Sequence, residues 1–169
     1  MSISYSNLEN LRQSYRPIEI ILLLVGESPP PHKGFFYDAT ALEGPLSRNT
    51  RTSFEDFFGT LYSNRHDFLA HFKTRGCYLV DLFKERGKTV FKATKREKET
   101  AVIDLSIFVQ EAKPRIVLSV LKRTSKLVEE AVKKAQLVVR YKVLPYPTRN
   151  YVTKYRSGLK EALLESQDA

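Results

Sequence analysis

An apolar run at residues 18–25 constrains the fold of this chain more than any other feature of the sequence. Only Glu19 interrupts the run, and Gly26 ends it. Continuous apolar segments of this length are typical of central parallel strands, which are buried on both faces of a sheet. The three prolines at residues 29–31 lack the amide hydrogens that a helix or a strand would use. The predicted strand therefore leads into a loop.

The rest of the chain alternates between strand and helix patterns, which predicts a parallel sheet with helices on both faces. A chain of 169 residues has room for one domain with a substantial core. We predict a single α/β domain over residues 1–169, with three α/β/α layers and a four-stranded, mostly parallel sheet. The further predicted strands are residues 77–80, 115–120 and 137–144, the predicted helices are residues 8–15, 54–62, 64–75, 101–112, 127–135 and 151–163, and residues 39–50 are predicted to be irregular.

The positive charge is concentrated in the C-terminal third of the chain. The formal net charge is +9, and residues 113–160 carry thirteen basic and only two acidic side chains. A field of this kind attracts phosphate polyanions through counterion release, so DNA is the first partner to consider. An ordinary solvated charged surface is the alternative.

Several kinds of site are disfavoured by the composition. The single cysteine, Cys77, cannot form an internal disulfide or hold an iron–sulfur cluster or a structural zinc by itself. The three histidines have no partner at a metal-binding spacing, so we expect no metal and no cofactor. No segment is long and apolar enough to span a membrane, and the N-terminus does not resemble a secretion signal. We expect a cytoplasmic, monomeric protein.

Three loops are expected to meet at the carboxyl ends of the predicted strands, where such sheets bind ligands. The first loop reads Gly-Glu-Ser-Pro at residues 26–29, the second begins at Asp81, and the third reads Tyr-Pro-Thr at residues 146–148. In this order they resemble the uracil-DNA glycosylase superfamily, which has a Gly-x-x-Pro loop after its first strand and a His-Pro-Ser-type turn before its last helix. The resemblance covers roughly residues 18–163 in element order and depends on these short motifs.

The first loop is closest to the Gly-Glu-Ala-Pro-Gly form of the thermophilic iron–sulfur branch, whose cluster cysteines are absent here. The resemblance implies a DNA glycosylase of base excision repair, a hydrolase that excises a flipped damaged or mispaired base by cleaving its N-glycosidic bond. Its catalytic residues would be Glu27 on the sugar side and Tyr146 beside the departing base. Glu27 would either orient or deprotonate the attacking water or stabilise the sugar cation. The alternative is that Glu27 only caps a neighbouring amide.

The same resemblance implies a set of base-binding residues, namely Ser28, Pro29, Phe36 and Asp81. Phe36 would stack on the flipped base, with ordinary core packing as the alternative. Asp81 replaces an asparagine of the superfamily and, when ionised, can only accept hydrogen bonds. It therefore suits a base that presents an amino group better than it suits uracil, or it caps the following turn.

The turn before the last helix would contact the DNA backbone, unless it is a simple connector. Its implied contact residues are Pro147, Thr148, Arg149, Lys154 and Arg156. Tyr146 occupies the position of a superfamily histidine and cannot become an imidazolium. Two other functions therefore stay open: a non-catalytic nucleic-acid-binding protein of the same fold, and an enzyme acting on small nucleosides or phosphate esters.

Overall fold

Four short strands form one sheet, and every hydrogen-bonded pair of strands runs parallel. In the computed structural model, which describes residues 5–167, the strands are β1 (Leu22–Gly26), β2 (Cys77–Asp81), β3 (Ile116–Ser119) and β4 (Arg140–Val143). Their order across the sheet is β2-β1-β3-β4. The predicted α/β class and the parallel sheet are confirmed. Residues 1–4 and 168–169 of the predicted domain lie outside the described range.

Helices cover both faces of this sheet. They are α1 (Tyr5–Ser14), α2 (Pro45–Phe58), α3 (Arg65–Thr74), α4 (Lys95–Ala112), α5 (Ser125–Lys134) and α6 (Val152–Gln167). One layer contains α4 packed on α5, and α5 contacts β3 and β4; the other contains α2 packed on α6, and α6 contacts β1. The sheet between them completes the predicted three layers. Every helix within residues 5–167 is too short or too polar to cross a membrane.

The strand β1 is shorter than the apolar run that predicted it. The prediction began the strand at residue 18, but Ile18 is fully exposed and β1 begins at Leu22. Ile21 already pairs with the sheet, since its N–H donates to the carbonyl of Gly76 over 2.7 Å. The side chains of residues 22–25 are completely buried, as a central strand requires. The first part of the run therefore approaches the sheet without belonging to it.

The prediction for the region around α2 was wrong at both ends. Residues 45–50 are helical rather than irregular, and the helix ends at Gly59, whose φ of 64° leaves the helical region. The reason is that α2 buries a polar face, which hydrophobic periodicity does not detect. Within that face the Thr50 hydroxyl donates to the carbonyl of Leu46 over 2.7 Å and lies 2.8 Å from the hydroxyl of Tyr155.

Helix α3 begins where the sequence predicted it. The side chain of Asn64 accepts a hydrogen bond from the backbone N–H of Asp67 over 2.9 Å, which caps the first turn. The strand predicted at residues 137–144 is shorter in the structure, where β4 spans Arg140–Val143 and lies at the edge of the sheet. An edge strand with a half-exposed, charged sequence pairs over few residues, because only one of its sides has a partner.

Candidate functional site

A cavity lies where the direction of the chain connections reverses. β1 leads to β2 on one side of the sheet, whereas β3 leads to β4 on the other, so the loops after β1 and β3 diverge. Open parallel sheets bind ligands in the crevice at such a point. The cavity here has a volume of about 550 Å³, within the range of about 300–1,000 Å³ that is typical of small-ligand sites.

The structure brings most of the predicted site residues together in this cavity. It is lined by Glu27, Ser28, Pro29, Phe36, Asp81, Tyr146 and Thr148. These residues come from three loops that are far apart in the sequence, and they meet because the strands that precede them run parallel. The roles assigned to them remain predictions, whereas their juxtaposition is a property of the fold.

The loop after β2 is hydrogen-bonded to the proline-rich loop after β1. The amides of Leu82, Phe83 and Gly87 donate to the carbonyls of Gly26, Glu27 and Pro29 over 2.8–2.9 Å. Arg86 adds hydrogen bonds to the carbonyls of Pro30 and His32, at 3.0 and 2.7 Å. Prolines offer only carbonyl acceptors, and the neighbouring loop supplies the matching donors. The wall of the cavity is therefore rigid.

The carboxylate of Glu27 is held from two directions. It accepts hydrogen bonds from the amide of Val90 over 2.9 Å and from Nε of Arg123 over 3.0 Å, and Nη2 of Arg123 donates to its second oxygen. The Glu27 side chain is 9% exposed and that of Arg123 is 42% exposed. Glu27 therefore lines the cavity and caps an amide at the same time.

Arg123 also lines the cavity and was missed by the sequence analysis. It lies in a short 3-10 turn, Lys122–Thr124, that follows β3. The available signal was its position, since a charged residue just after a predicted parallel strand belongs to the edge of the sheet where ligands bind. Its partner could not be identified from the sequence, because Glu27 is 96 positions away.

Asp81 forms a second ion pair, and this pair is buried. Nη2 of Arg12 donates to Oδ2 of Asp81 over 2.7 Å, and both side chains are only 8% exposed. Burial raises the pKa of Asp81 to about 6, although the charge and hydrogen bond of Arg12 act in the opposite direction. The amides of Leu82 and Phe83 donate to carbonyls of the loop after β1 and not to Asp81.

Phe36 belongs to the core and to the cavity wall together. Its ring is nearly buried and packs against Tyr37 and Phe72, with ring centroids 5.1 and 5.3 Å away. The guanidinium of Arg65 donates to the carbonyls of Phe36 and Asp38, at 3.0 and 2.7 Å, and so fixes the backbone of this segment. The stacking and packing interpretations of Phe36 are therefore compatible.

Tyr146 lies beside the start of α2. Its side chain is half-buried, and burial raises its pKa, while a hydrogen bond with the backbone of Leu46 acts in the opposite direction. Gly44, Leu46 and Ser47, at the beginning of α2, also line the cavity. The sequence analysis missed this wall because it predicted an irregular segment there.

The predicted DNA-backbone residues divide into two groups. Thr148, Arg149 and Lys154 are exposed. Pro147 is buried, and its carbonyl accepts a hydrogen bond from Asn49, whose side-chain oxygen accepts another from Nε of Arg156 over 2.9 Å. The exposed members of the set are therefore the ones open to a ligand, and the DNA-backbone role of all five residues stays a prediction.

Helix α6 begins within one residue of its predicted start. A 3-10 turn, Arg149–Tyr151, separates Thr148 from its first residue, Val152. No group of three or more potential metal ligands occurs within residues 5–167.

Comparison with known proteins adds no family to this description. The sequence matches no protein-family model, and no curated protein matches it significantly. The resemblance to the uracil-DNA glycosylase superfamily therefore stays a prediction from three short sequence motifs.

Proposed function

We propose that this protein binds DNA and hydrolyses the N-glycosidic bond of a base that enters the cavity from the strand. One observation carries the proposal: Glu27, Phe36, Asp81 and Tyr146 line a single cavity at the point where the sheet connections reverse. Exposed basic residues of the Lys122–Thr124 and Arg149–Tyr151 turns lie on the loops that border it. This combination fits a DNA backbone that binds outside the cavity and a single base that binds inside it.

The reaction needs a positioned water on the sugar side. The bond between C1′ and the base nitrogen breaks, the base leaves with the bonding electrons, and the water oxygen adds to C1′ while its proton is released to the base or the solvent. A carboxylate accepts about four hydrogen bonds. Glu27 accepts from three N–H groups, the amide of Val90 and Nε and Nη2 of Arg123, and Nε is shared between both carboxylate oxygens. Since three donors share four acceptor sites, we assign the fourth site to this water. The charge of Arg123 favours this role over direct stabilisation of the sugar cation.

The part of the cavity wall that contains Tyr146 and the beginning of α2 suits the departing base. Negative charge develops on the base as the bond breaks, and donors placed near it lower the barrier. The hydroxyl of Tyr146 and the first turn of α2 are the groups available there. The beginning of a helix carries partial positive charge from the helix dipole, which favours an anion nearby. Pro45 has no N–H and the amide of Arg48 donates to Gly44, so the dipole of α2 is the contribution that we assign to this turn.

Asp81 would read the edge of the base. Arg12 occupies Oδ2 of its carboxylate, and Oδ1 lies beside Gly26 at the cavity. An ionised carboxylate accepts a hydrogen bond from an exocyclic amino group, as acidic side chains do with cytosine. We therefore propose that bases with an amino group are preferred to uracil.

The test is release of a base from defined duplexes. The protein is incubated with duplexes that contain uracil, hypoxanthine, xanthine or alkylated bases with and without an amino group, and abasic sites are detected by alkaline strand cleavage. Glu27→Gln is expected to lower the rate roughly 10²- to 10⁴-fold. Asp56→Asn, an exposed carboxylate change on α2 away from the cavity, should leave it unchanged. Equal yields from the wild type and Glu27→Gln would remove the enzymatic proposal.

A non-catalytic DNA-binding protein is the second candidate. The observation that favours it is the pairing of both cavity carboxylates with arginines, which neutralises much of their charge. In that case affinity for DNA falls steeply with rising salt, yet no abasic site forms on any duplex.

A further inference from the structure

Two exposed aromatic rings flank the pair of cations that follows β3. The Phe91 side chain is 78% exposed, and its ring centroid lies 5.5 Å from Cζ of Arg123. Tyr151 is 49% exposed, and its ring centroid lies 5.8 Å from Nζ of Lys122. Because Lys122 and Arg123 are consecutive, the two rings lie on either side of one short turn.

Both rings are carried by hydrogen-bonded turns. The carbonyl of Thr89 accepts from the amides of Lys92 and Ala93, each over 3.0 Å, so Phe91 stands at the apex of a closed turn. The amide of Tyr151 donates to the carbonyl of Thr148 over 2.9 Å. A ligand that stacks on these rings would lose little freedom of the protein backbone on binding.

The two rings are close to residues that line the cavity. Thr89, Arg123 and Thr148 line it, and Phe91 and Tyr151 lie two and three positions from the first and last of these residues. Arg123 itself lies against the Phe91 ring, and the amide of Val90, next to Phe91, donates to Glu27. A strand that delivered one base to the cavity could therefore place neighbouring bases near these rings.

Among the residues whose side-chain exposure is described, 7–167, the exposed aromatic residues are restricted to this place. Ten large hydrophobic side chains are exposed there, and only Phe91 and Tyr151 are aromatic. The other eight are aliphatic, such as Leu61. Aromatic rings interleaved with cations fit a nucleic-acid strand, in which bases alternate with phosphates, better than they fit an apolar protein surface.

We infer that Phe91 and Tyr151, with Lys122 and Arg123 between them, form a platform on which unpaired bases of a DNA strand stack outside the cavity. This inference rests on the proposed function only in taking DNA as the ligand. It adds a substrate preference, for single-stranded or locally opened DNA, and it assigns a binding role to two aromatic residues outside the glycosylase-like motifs.

The test measures the affinity for a labelled single-stranded oligothymidine by fluorescence anisotropy at several salt concentrations. Phe91→Ala and Tyr151→Ala are each expected to weaken binding roughly 5- to 150-fold without changing the salt slope. Lys122→Ala is expected to lower the slope of log affinity against log salt by about 0.7. Phe91→Trp keeps a stacking surface and should bind like the wild type. Leu61→Ala, which removes an exposed side chain elsewhere, should have no effect.

A base-free phosphodiester strand of the same length separates stacking from charge. The wild type, Phe91→Ala and Tyr151→Ala should bind it equally, because it offers no rings to stack. The platform is overturned if both alanine variants bind oligothymidine as tightly as the wild type, if they lose as much affinity for the base-free strand, or if the wild type binds no strand at all.

The same variants distinguish this inference from the proposed function. Affinity that depends on the rings, together with no base release from any duplex, would keep the platform and remove the glycosylase. Base release that persists at unchanged rate and affinity in both alanine variants would keep the glycosylase and remove the platform.

Discussion

The carboxyl ends of β1 and β2 lie side by side, and each carries an acidic side chain that is paired with an arginine, yet the two ends differ in exposure. At the end of β2, Asp81 and Arg12 are both 8% exposed. Just beyond the end of β1, Glu27 is nearly buried, but its partner Arg123 is 42% exposed. Both carboxylates line the cavity, but Arg12 is enclosed by protein, whereas Arg123 opens to the solvent.

This difference in exposure predicts how strongly each pair contributes to stability. Removing two charges from water costs several kcal/mol per ion, and each buried partner then depends on the other. A half-exposed arginine keeps part of its hydration and can exchange a protein partner for a ligand at little cost. We therefore expect the loss of Arg12 to lower stability more than the loss of Arg123, which should act mainly on the chemistry at Glu27.

Arg12→Met should lower the free energy of unfolding by about 3–5 kcal/mol at neutral pH, because it leaves the Asp81 carboxylate buried without a partner. Urea denaturation measures the change. The double variant Arg12→Met/Asp81→Leu removes both charges and should recover most of the loss. A cost below about 1 kcal/mol for the single variant would indicate that water replaces Arg12, and the contrast between the two pairs would then disappear.

The buried pair also predicts a pH dependence of stability. Burial raises the pKa of Asp81 from 3.8 to about 6 in the folded protein. Between these values the folded state holds a proton that the unfolded state has lost, so the free energy of unfolding falls as the pH rises and becomes level above about pH 7. The change is on the order of 2–3 kcal/mol. The Asp81→Asn variant should lack this fall in the free energy of unfolding. If the free energies of the wild type and Asp81→Asn differ by the same amount at every pH, the prediction is contradicted.

Gly26→Ala tests the close contact between the end of β1 and Asp81 at the end of β2. A Cβ atom at Gly26 would lie 2.7 Å from Oδ1 of Asp81. Arg12 holds the Asp81 side chain in place through its hydrogen bond to Oδ2. We expect a loss of about 1–2 kcal/mol of stability, as for other overpacked sites. A double-mutant cycle with Asp81→Ala measures the coupling, since the smaller side chain makes room for the new methyl group. Additive losses in this cycle would place the strain elsewhere.

Arg123→Met should have the smallest effect on stability, a change below about 1 kcal/mol in the free energy of unfolding. Glu27 would keep its hydrogen bond from the amide of Val90 but lose its second support. We expect the rate of base release to fall up to roughly 100-fold, as when a reacting group is misplaced by about 1 Å. Thermal unfolding and the abasic-site assay give the two readouts. A large stability loss with an unchanged rate would reverse the roles of the two pairs.

The sequence predicted the parts of the fold that depend on local patterns. The apolar run before Gly26 marked the central strand, and Asn64 marked the beginning of α3. The start of α2 was not predictable in this way, because its buried face is polar. Side chains such as Thr50 are satisfied there by hydrogen bonds to Leu46 and Tyr155, and these partners have no periodic signature.

In the candidate site, too, the sequence predicted positions that depend on local patterns but not the partners of the side chains. The positions of Glu27, Asp81 and Tyr146 after their strands were sufficient to predict that they meet, since parallel strands direct their carboxyl ends to one edge. Their partners were not predictable. Arg12 reaches Asp81 across 69 positions and Arg123 reaches Glu27 across 96, and only the packing of α1 and of the turn after β3 brings these charges together.

For this chain, the sequence alone determined the α/β class, the parallel sheet and the edge of that sheet at which a ligand would bind. The tertiary structure decided which carboxylate is enclosed, which arginine remains exposed, and that Phe91 and Tyr151 flank the same two cations. The physical reason is that strand and helix patterns depend on near neighbours in the chain. Burial and charge pairing depend on distances between residues that only the folded chain brings together.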